Sequence, residues 1–293
     1  MLHVAATVGD VHTLQNASRW DLEQAQDDLT LTQRAAIHGQ IEILKLLKQK
    51  GVCLDRWDSD GNTALMLLIG AHLSPSKKWQ TAKWLIDQQG NLEVCNELQE
   101  TPLLLAVMHE EYTIANYLLD AKAQVNLETC RGWTPLTCAL AGKDPPDYLI
   151  TRLLEAKADI HCSISDNTPL TVAITHRHHS WVSTLYDKGV NINGTAFASP
   201  LLVALQMGFL YNDLTSAQFL IKHGCLPLRR SFAKKFQRYD VVPKLAPSLN
   251  FILDLRYRPL ILSSSLAVCT DVLHLIADYT VPTLEEWINS GWD

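Results

Sequence analysis

Residues 101–107 read Thr-Pro-Leu-Leu-Leu-Ala-Val, and 33 positions later residues 134–140 read Thr-Pro-Leu-Thr-Cys-Ala-Leu. The opening phrase recurs as Thr63-Ala64-Leu65, Thr168-Pro169-Leu170 and Ser199-Pro200-Leu201, at successive spacings of 38, 33, 34 and 31 residues, with a degenerate earlier copy at Thr30. Thr before Pro marks a helix start: the hydroxyl can cap free backbone N–H groups, and Pro at the first helical position loses nothing by lacking its own. A short helix follows, with a small residue at its centre such as Ala106 or Ala173 that lets neighbouring helices approach closely. A second helix then carries apolar residues at helical spacing, as in Ile41, Leu44 and Leu47 or Ile150, Leu153 and Leu154. It stops at a Gly or a short polar break, as at Lys50-Gly51, Lys188-Gly189 and His223-Gly224, where a left-handed cap is expected. One such helix pair cannot bury its apolar face alone, so the repeats must stack, each touching only its neighbours.

A period near 33 built on Thr-Pro-Leu resembles the ankyrin-repeat family over residues 1–225. The turns Ala123-Gln124-Val125-Asn126 and Gly189-Val190-Asn191-Ile192-Asn193 are similar to that family's Gly-Ala-Asp-Val-Asn segment. The resemblance implies an all-α solenoid: a partial N-terminal cap at Leu2–Ala6, six fuller repeats from Thr30 to Ser199, and a small helical C-terminal cap over 226–293. Two departures carry expectations of their own. The second repeat is five residues long for its class, and the surplus around 71–79 is expected to bulge between its helices. The turn before Ser199 is two residues short, which predicts a blunted finger.

Composition is that of a folded chain, with 47% hydrophobic and 19% charged residues. Charge is unevenly spread: residues 1–225 hold 17 basic against 24 acidic side chains, 226–258 hold 8 against 2, and 259–293 hold 0 against 5. An acidic repeat body argues against nucleic acid as its partner, because phosphate contacts need clustered Lys and Arg. No signal peptide or apolar span long enough for a bilayer is legible. Seven scattered cysteines without a Cys-x-x-Cys pair read as free thiols in a reducing cytosol, the host cytosol if the chain is an effector of an intracellular pathogen.

No catalytic residue, metal site or cofactor is expected. His176, His178 and His179 cannot all point one way on a helix, and no nearby cysteine or carboxylate completes a tetrahedral set. Cys225 or Cys269 can be paired with His223 or His274 on paper, but no protease signature surrounds them. Gly-rich phosphate loops and His-Glu-x-x-His are absent from the sequence. The expected class is a protein-binding scaffold or adaptor, monomeric alone; the enzyme alternative is confined to the last 68 residues.

The family resemblance implies that a protein partner is gripped by the hairpin fingertips and the inner face of the first helices. Carried over by position, this gives Trp57, Asp60 and Asn62, then Leu98, Glu100, Met108 and His109, then Arg131 and Trp133, and finally Asn167 and His176. Trp133 stands just before a Thr-Pro start, a position the family pattern leaves facing solvent, so its indole has no core to fill. With Leu98, Met108 and Arg131 it forms an aromatic, aliphatic and cationic combination of the kind that dominates binding energies.

Beyond the repeats, residues 228–242 place Leu228, Phe232, Phe236 and Tyr239 on one face of a basic amphipathic helix, which either caps the stack or touches an anionic membrane. Residues 270–279 resemble the opening helix of an F-box, the module that docks on the Skp adaptor of a ubiquitin ligase, although only fourteen residues follow Tyr279. That resemblance implies a second role, a substrate adaptor presenting Leu273, Ile276 and Tyr279.

Overall fold

The first helix of each of five repeats begins where a threonine stands. In a computed structural model of the chain, described over residues 1–225 apart from 27, 89, 143–145, 163–167, 194–199, 212, 214 and 224, the elements come in pairs and fall into two compact units. The expectations for 226–293, including the basic helix and Leu273, Ile276 and Tyr279, lie outside the described residues, as do Asn167 and the turn before Ser199.

The first unit spans Met1–Asp159. It contains α1 (Leu2–Val8) and α2 (Val11–Gln15), the short α3 (Arg19–Glu23), then α4 (Leu31–Ile37) with α5 (Ile41–Gln49) and α6 (Ala64–Gly70) with α7 (Pro75–Asp87). The pairs α8 (Pro102–Met108) with α9 (Tyr112–Asp120) and α10 (Pro135–Ala141) with α11 (Asp147–Glu155) complete it. The second unit, from Ile160, holds α12 (Pro169–Thr175) with α13 (His179–Asp187) and α14 (Pro200–Tyr211) with α15 (Thr215–Lys222). Among the described residues there is no strand, only an isolated bridge between Gln26 and Leu29.

Each cap forms as the sequence dictates. The hydroxyls of Thr30, Thr63, Thr101, Thr134 and Thr168 accept from the backbone N–H three residues on, at 3.1–3.5 Å. Those threonines are 1–8% exposed, and such caps contribute about 1 kcal/mol each. The copy at Thr30 is degenerate in sequence only: Gln33 completes a capping box there, and its amide donates to the carbonyls of Asn62 (2.9 Å) and Arg56 (3.2 Å) in the next repeat.

Within the first unit, first helices stack on first helices (α1 on α4, α4 on α6, α6 on α8, α8 on α10) and second on second (α2 on α5, α7 on α9, α9 on α11). The small central residues allow this, since Ala36 and Ala106 are wholly buried at the contact. In the second unit α12 packs on α14 and α13 on α15.

The surplus in the second repeat does not bulge. Only four residues separate α6 from α7, and the excess instead lengthens α7 to 13 residues against 9 in α5, α9 and α11. Ser74-Pro75 is the cause, because Pro at the first helical position starts the helix a turn early. The added turn leads into Lys78, 8% exposed, whose ammonium donates to the Ile69 carbonyl at 3.0 Å and meets the Glu111 carboxylate at 2.5 Å. Gly51 and Gly189 take left-handed backbone after their helices as expected, and Lys122 and Lys157 adopt it at the equivalent breaks.

Candidate functional site

Three fingers of the first unit are built on one plan. Asp58 accepts through Oδ1 from the amides of Asp60 (3.0 Å) and Asn62 (2.7 Å). Asn96 accepts through Oδ1 from Leu98 (3.1 Å) and Glu100 (2.9 Å), and Thr129 through Oγ1 from Arg131 (3.2 Å) and Trp133 (3.1 Å). Each acceptor stands five residues before its helix-starting threonine, a regular signal that sequence reasoning did not use. The chain reverses at Gly61, Gln99 and Gly132, all with positive φ. Gly61 is also a close approach: a Cβ there would lie 3.0 Å from the Cα of Asn96. Adjacent fingers are joined through their backbones, Glu97 N–H to Asp60 C=O at 2.9 Å and Cys130 N–H to Leu98 C=O at 3.2 Å.

Between the fingers and the first helices lie two depressions. A cavity of about 640 Å³ is lined by Asp60, Asn62, Glu97, Leu98, Glu100 and His109, with Met66, Gly70 and Leu105 from α6 and α8. A second, of about 410 Å³, is lined by Leu98, Glu100, Met108, Glu110, Arg131 and Trp133, with Tyr112 of α9 and Cys138 of α10. Leu98 and Glu100 line both. Volumes of several hundred Å³ are those of ligand-binding clefts. Leu98 and Met108 are 54% and 51% exposed, while Trp133 is half-buried rather than solvent-facing, because its indole lines the groove.

The carboxylates of Asp60, Glu97 and Glu110 and the Arg131 guanidinium have no ion-pair partner among the described residues. Glu100 is held by the Asn96 amide at 2.8 Å. Burial, reinforced by the Glu100 charge, pushes the Cys138 thiol up to about 12, so this groove cysteine stays protonated and unreactive at neutral pH.

The structure therefore brings together Leu98, Glu100, Met108, Arg131 and Trp133 in one groove, and Asp60, Asn62 and His109 with Leu98 and Glu100 in the other. Asn62 is engaged internally, its side chain bonded to Asn96 at 3.1 Å. Trp57 is 65% exposed and lines neither groove. His176 belongs to the second unit, where its ring stacks on that of His178 at 6.3 Å; desolvation and then the His178 charge hold its pKa below the ordinary value. Sequence reasoning missed Glu110, Tyr112 and Cys138, which follow no fingertip register.

Two clusters of titratable groups among the described residues of the second unit join its elements. His179 bonds the Asp213 carboxylate through Nε2 and the Ser216 hydroxyl through Nδ1, both at 2.8 Å. A serine, a histidine and an aspartate hydrogen-bonded in series have the form of a nucleophile relay, yet Ser216 is 4% exposed, and the set ties α13 to α15. The Cys225 thiol is 3% exposed, donates to the Ile192 carbonyl at 3.1 Å and is pushed up to about 11, chiefly by burial. His223 packs on Phe219 with ring centres 4.1 Å apart, so neither member of the Cys225/His223 pair is poised for attack.

Residues 68–148 match the family model for ankyrin repeats, in three copies. The chain is similar to an ankyrin-repeat domain from Acinetobacter baumannii AYE, with a TM-score of 0.57 and 21% identity over 65% of this chain and 98% of that one. It is similar also to the ankyrin-repeat domain of Bcl-3, a member of the IkappaB protein family, with a TM-score of 0.59 and 24% identity over 69% and 92%. Among curated proteins it is 25% identical over 272 residues to the putative palmitoyltransferase ZDHHC13 of Danio rerio, covering 85% of this chain. It is 24% identical over 180 residues, 57% of this chain, to alpha-latrocrustotoxin-Lt1a of Latrodectus tredecimguttatus. The chain spans 39% and 12% of the lengths of those two relatives.

Proposed function

Because this chain is built of ankyrin repeats, we propose that it is a non-enzymatic binding module whose protein partner docks across the two grooves that meet at Leu98 and Glu100. One observation carries the reading: large apolar side chains, Leu98 and Met108, stand half-exposed beside Trp133 in a groove that Glu110 and Arg131, which have no ion-pair partner among the described residues, also line. Exposed apolar side chains gathered in a depression, with a polar rim, are what interface hot spots are made of. The transferase named for the zebrafish relative is not carried over, since this chain spans 39% of it. Exposed Cys53, Cys95 and Cys130 fit a reducing compartment.

The test is a pair of variants in quantitative affinity capture. Leu98→Ser with Met108→Ser removes the groove's exposed apolar side chains without touching the core, and Trp20→Ser removes a 70% exposed side chain elsewhere. Partners lost from the first and kept by the second support the reading; a partner set unchanged in both sinks it.

A further inference from the structure

The charge in the grooves is one-sided, and its distribution has a direction. Asp60, Glu97 and Glu100 line the larger depression, which contains no Lys or Arg. Arg131 stands in the smaller depression, among Leu98, Met108 and Trp133 and the carboxylates of Glu100 and Glu110. Three of the four groove carboxylates, Asp60, Glu97 and Glu110, have no ion-pair partner among the described residues. Desolvating an unpaired carboxylate under a neutral or acidic partner is costly, whereas a guanidinium or ammonium recovers that cost and adds charge-assisted hydrogen bonds. At the other end Arg131 offsets the carboxylates of Glu100 and Glu110 on the same lining, and the half-exposed Leu98 and Met108 beside Trp133 favour an apolar side chain there.

Fingertip backbone takes little part in recognition. The Glu97 and Cys130 amides already bond the neighbouring finger, and the Asp60, Asn62, Leu98, Glu100, Arg131 and Trp133 amides are held within their own fingers. A partner strand therefore has no free row of donors to pair with, and side chains must do the selecting.

Resting on the binding reading above, we propose that the grooves take an extended protein segment carrying an aliphatic or aromatic residue against Leu98, Met108 and Trp133 and an arginine or lysine against Asp60, Glu97 and Glu100. Neighbouring helix layers lie about 10 Å apart, and an extended chain advances about 3.4 Å per residue. The two anchors are thus about three residues apart in the partner's sequence.

The test selects linear 12-residue peptides from a random display library on the full chain, since peptides this short are not stable helices in water. Groove occupancy is read by mass spectrometry as slower alkylation of Cys130, which is exposed and lines the smaller depression, against Cys53, which is exposed and lines neither. The expected result is a set of peptides that protect Cys130, that share a basic residue three positions from an apolar one, and that bind about tenfold or more weakly to the Glu97→Lys variant and severalfold more weakly at 0.5 M salt. Peptides that protect Cys130 but are acidic or uncharged, or that bind Glu97→Lys as tightly as the parent chain, overturn the charge assignment and leave the groove as a binding site. If no selected peptide protects Cys130, the groove reading itself fails.

Discussion

Replacing Lys78 by Met should be among the most damaging changes available outside the apolar core, and the structure sets its size. The Lys78 side chain is 10% exposed and makes two contacts: the Ile69 carbonyl at 3.0 Å and the Glu111 carboxylate at 2.5 Å. Ile69 lies in the last turn of α6, where carbonyls have no intrahelical partner. Losing the ammonium leaves that carbonyl unpaired, at a cost of about 1–3 kcal/mol, and removes one charge-assisted bond, worth about 1.5–3 kcal/mol. The methionine offsets part of this by burying apolar surface, and Glu111, 29% exposed, regains water. The net expectation is a loss of about 2–3 kcal/mol, read by urea denaturation with far-UV circular dichroism. Glu111→Gln keeps an acceptor for Lys78 and should cost about 1 kcal/mol. The double variant should fall short of the sum by about 1 kcal/mol, the signature of a shared contact. Strict additivity, or a Lys78→Met variant within about 0.5 kcal/mol of the parent, would refute the idea that this pair ties the second repeat to the third.

Two further outcomes follow from local geometry. Lys157→Gly and Lys122→Gly relieve left-handed backbone, at φ 65 and 69, and should each stabilise the chain by about 0.5–1 kcal/mol in the same assay. The Thr215 hydroxyl and amide, then His179 and Arg177, hold the Asp213 carboxyl well below the usual carboxylate range against the opposing effect of its burial. Its folded pKa is depressed, so its contribution is fully present above the ordinary carboxylate pKa near 4 and is lost as pH falls below that toward the folded value. Asp213→Asn should therefore cost about 1–3 kcal/mol at pH 7, and the gap between variant and parent should close as thermal melts are repeated from pH 5 down to pH 2; a gap independent of pH would contradict this.

What the sequence disclosed, it disclosed where the chemistry is local. Thr-Pro starts a helix whatever surrounds it, so α8, α10 and α12 begin where the phrase places them. The length of α7 was misread because a surplus of five residues fits a loop or a helix equally well by count, and Ser74-Pro75 decides between them. Helix α3 was not foreseen, although Ser18 and Asp21 form a capping box that spacing alone could have flagged. At the grooves, periodicity found the fingertips but not the floor: Glu110 enters from the break between α8 and α9, Tyr112 from the start of α9 and Cys138 from α10, positions that only packing brings beside Trp133. Asn62 looked like a contact residue for the same reason, since the repeat register cannot show that its side chain reaches Asn96.

Within each finger the residues that hold the shape are separate from those that face the grooves. Asp58, Asn96 and Thr129 hold the turns, and the buried threonines at 63, 101 and 134 hold the helix starts. Between them, positions 60, 97, 98, 100, 131 and 133 carry side chains that face the grooves. Substitutions at the first set should lower stability whatever the partner, because each removes a bond on which the finger's shape depends. Exposed members of the second set, such as Glu97 and Leu98, can be exchanged at little cost in folding, since among the described residues no hydrogen bond or ion pair runs through their side chains. In the proposed binding mode the consequence runs from sequence to recognition: with fingertip amides already bonded, the order of acidic, apolar and basic side chains along these six positions would determine which segment the grooves accept.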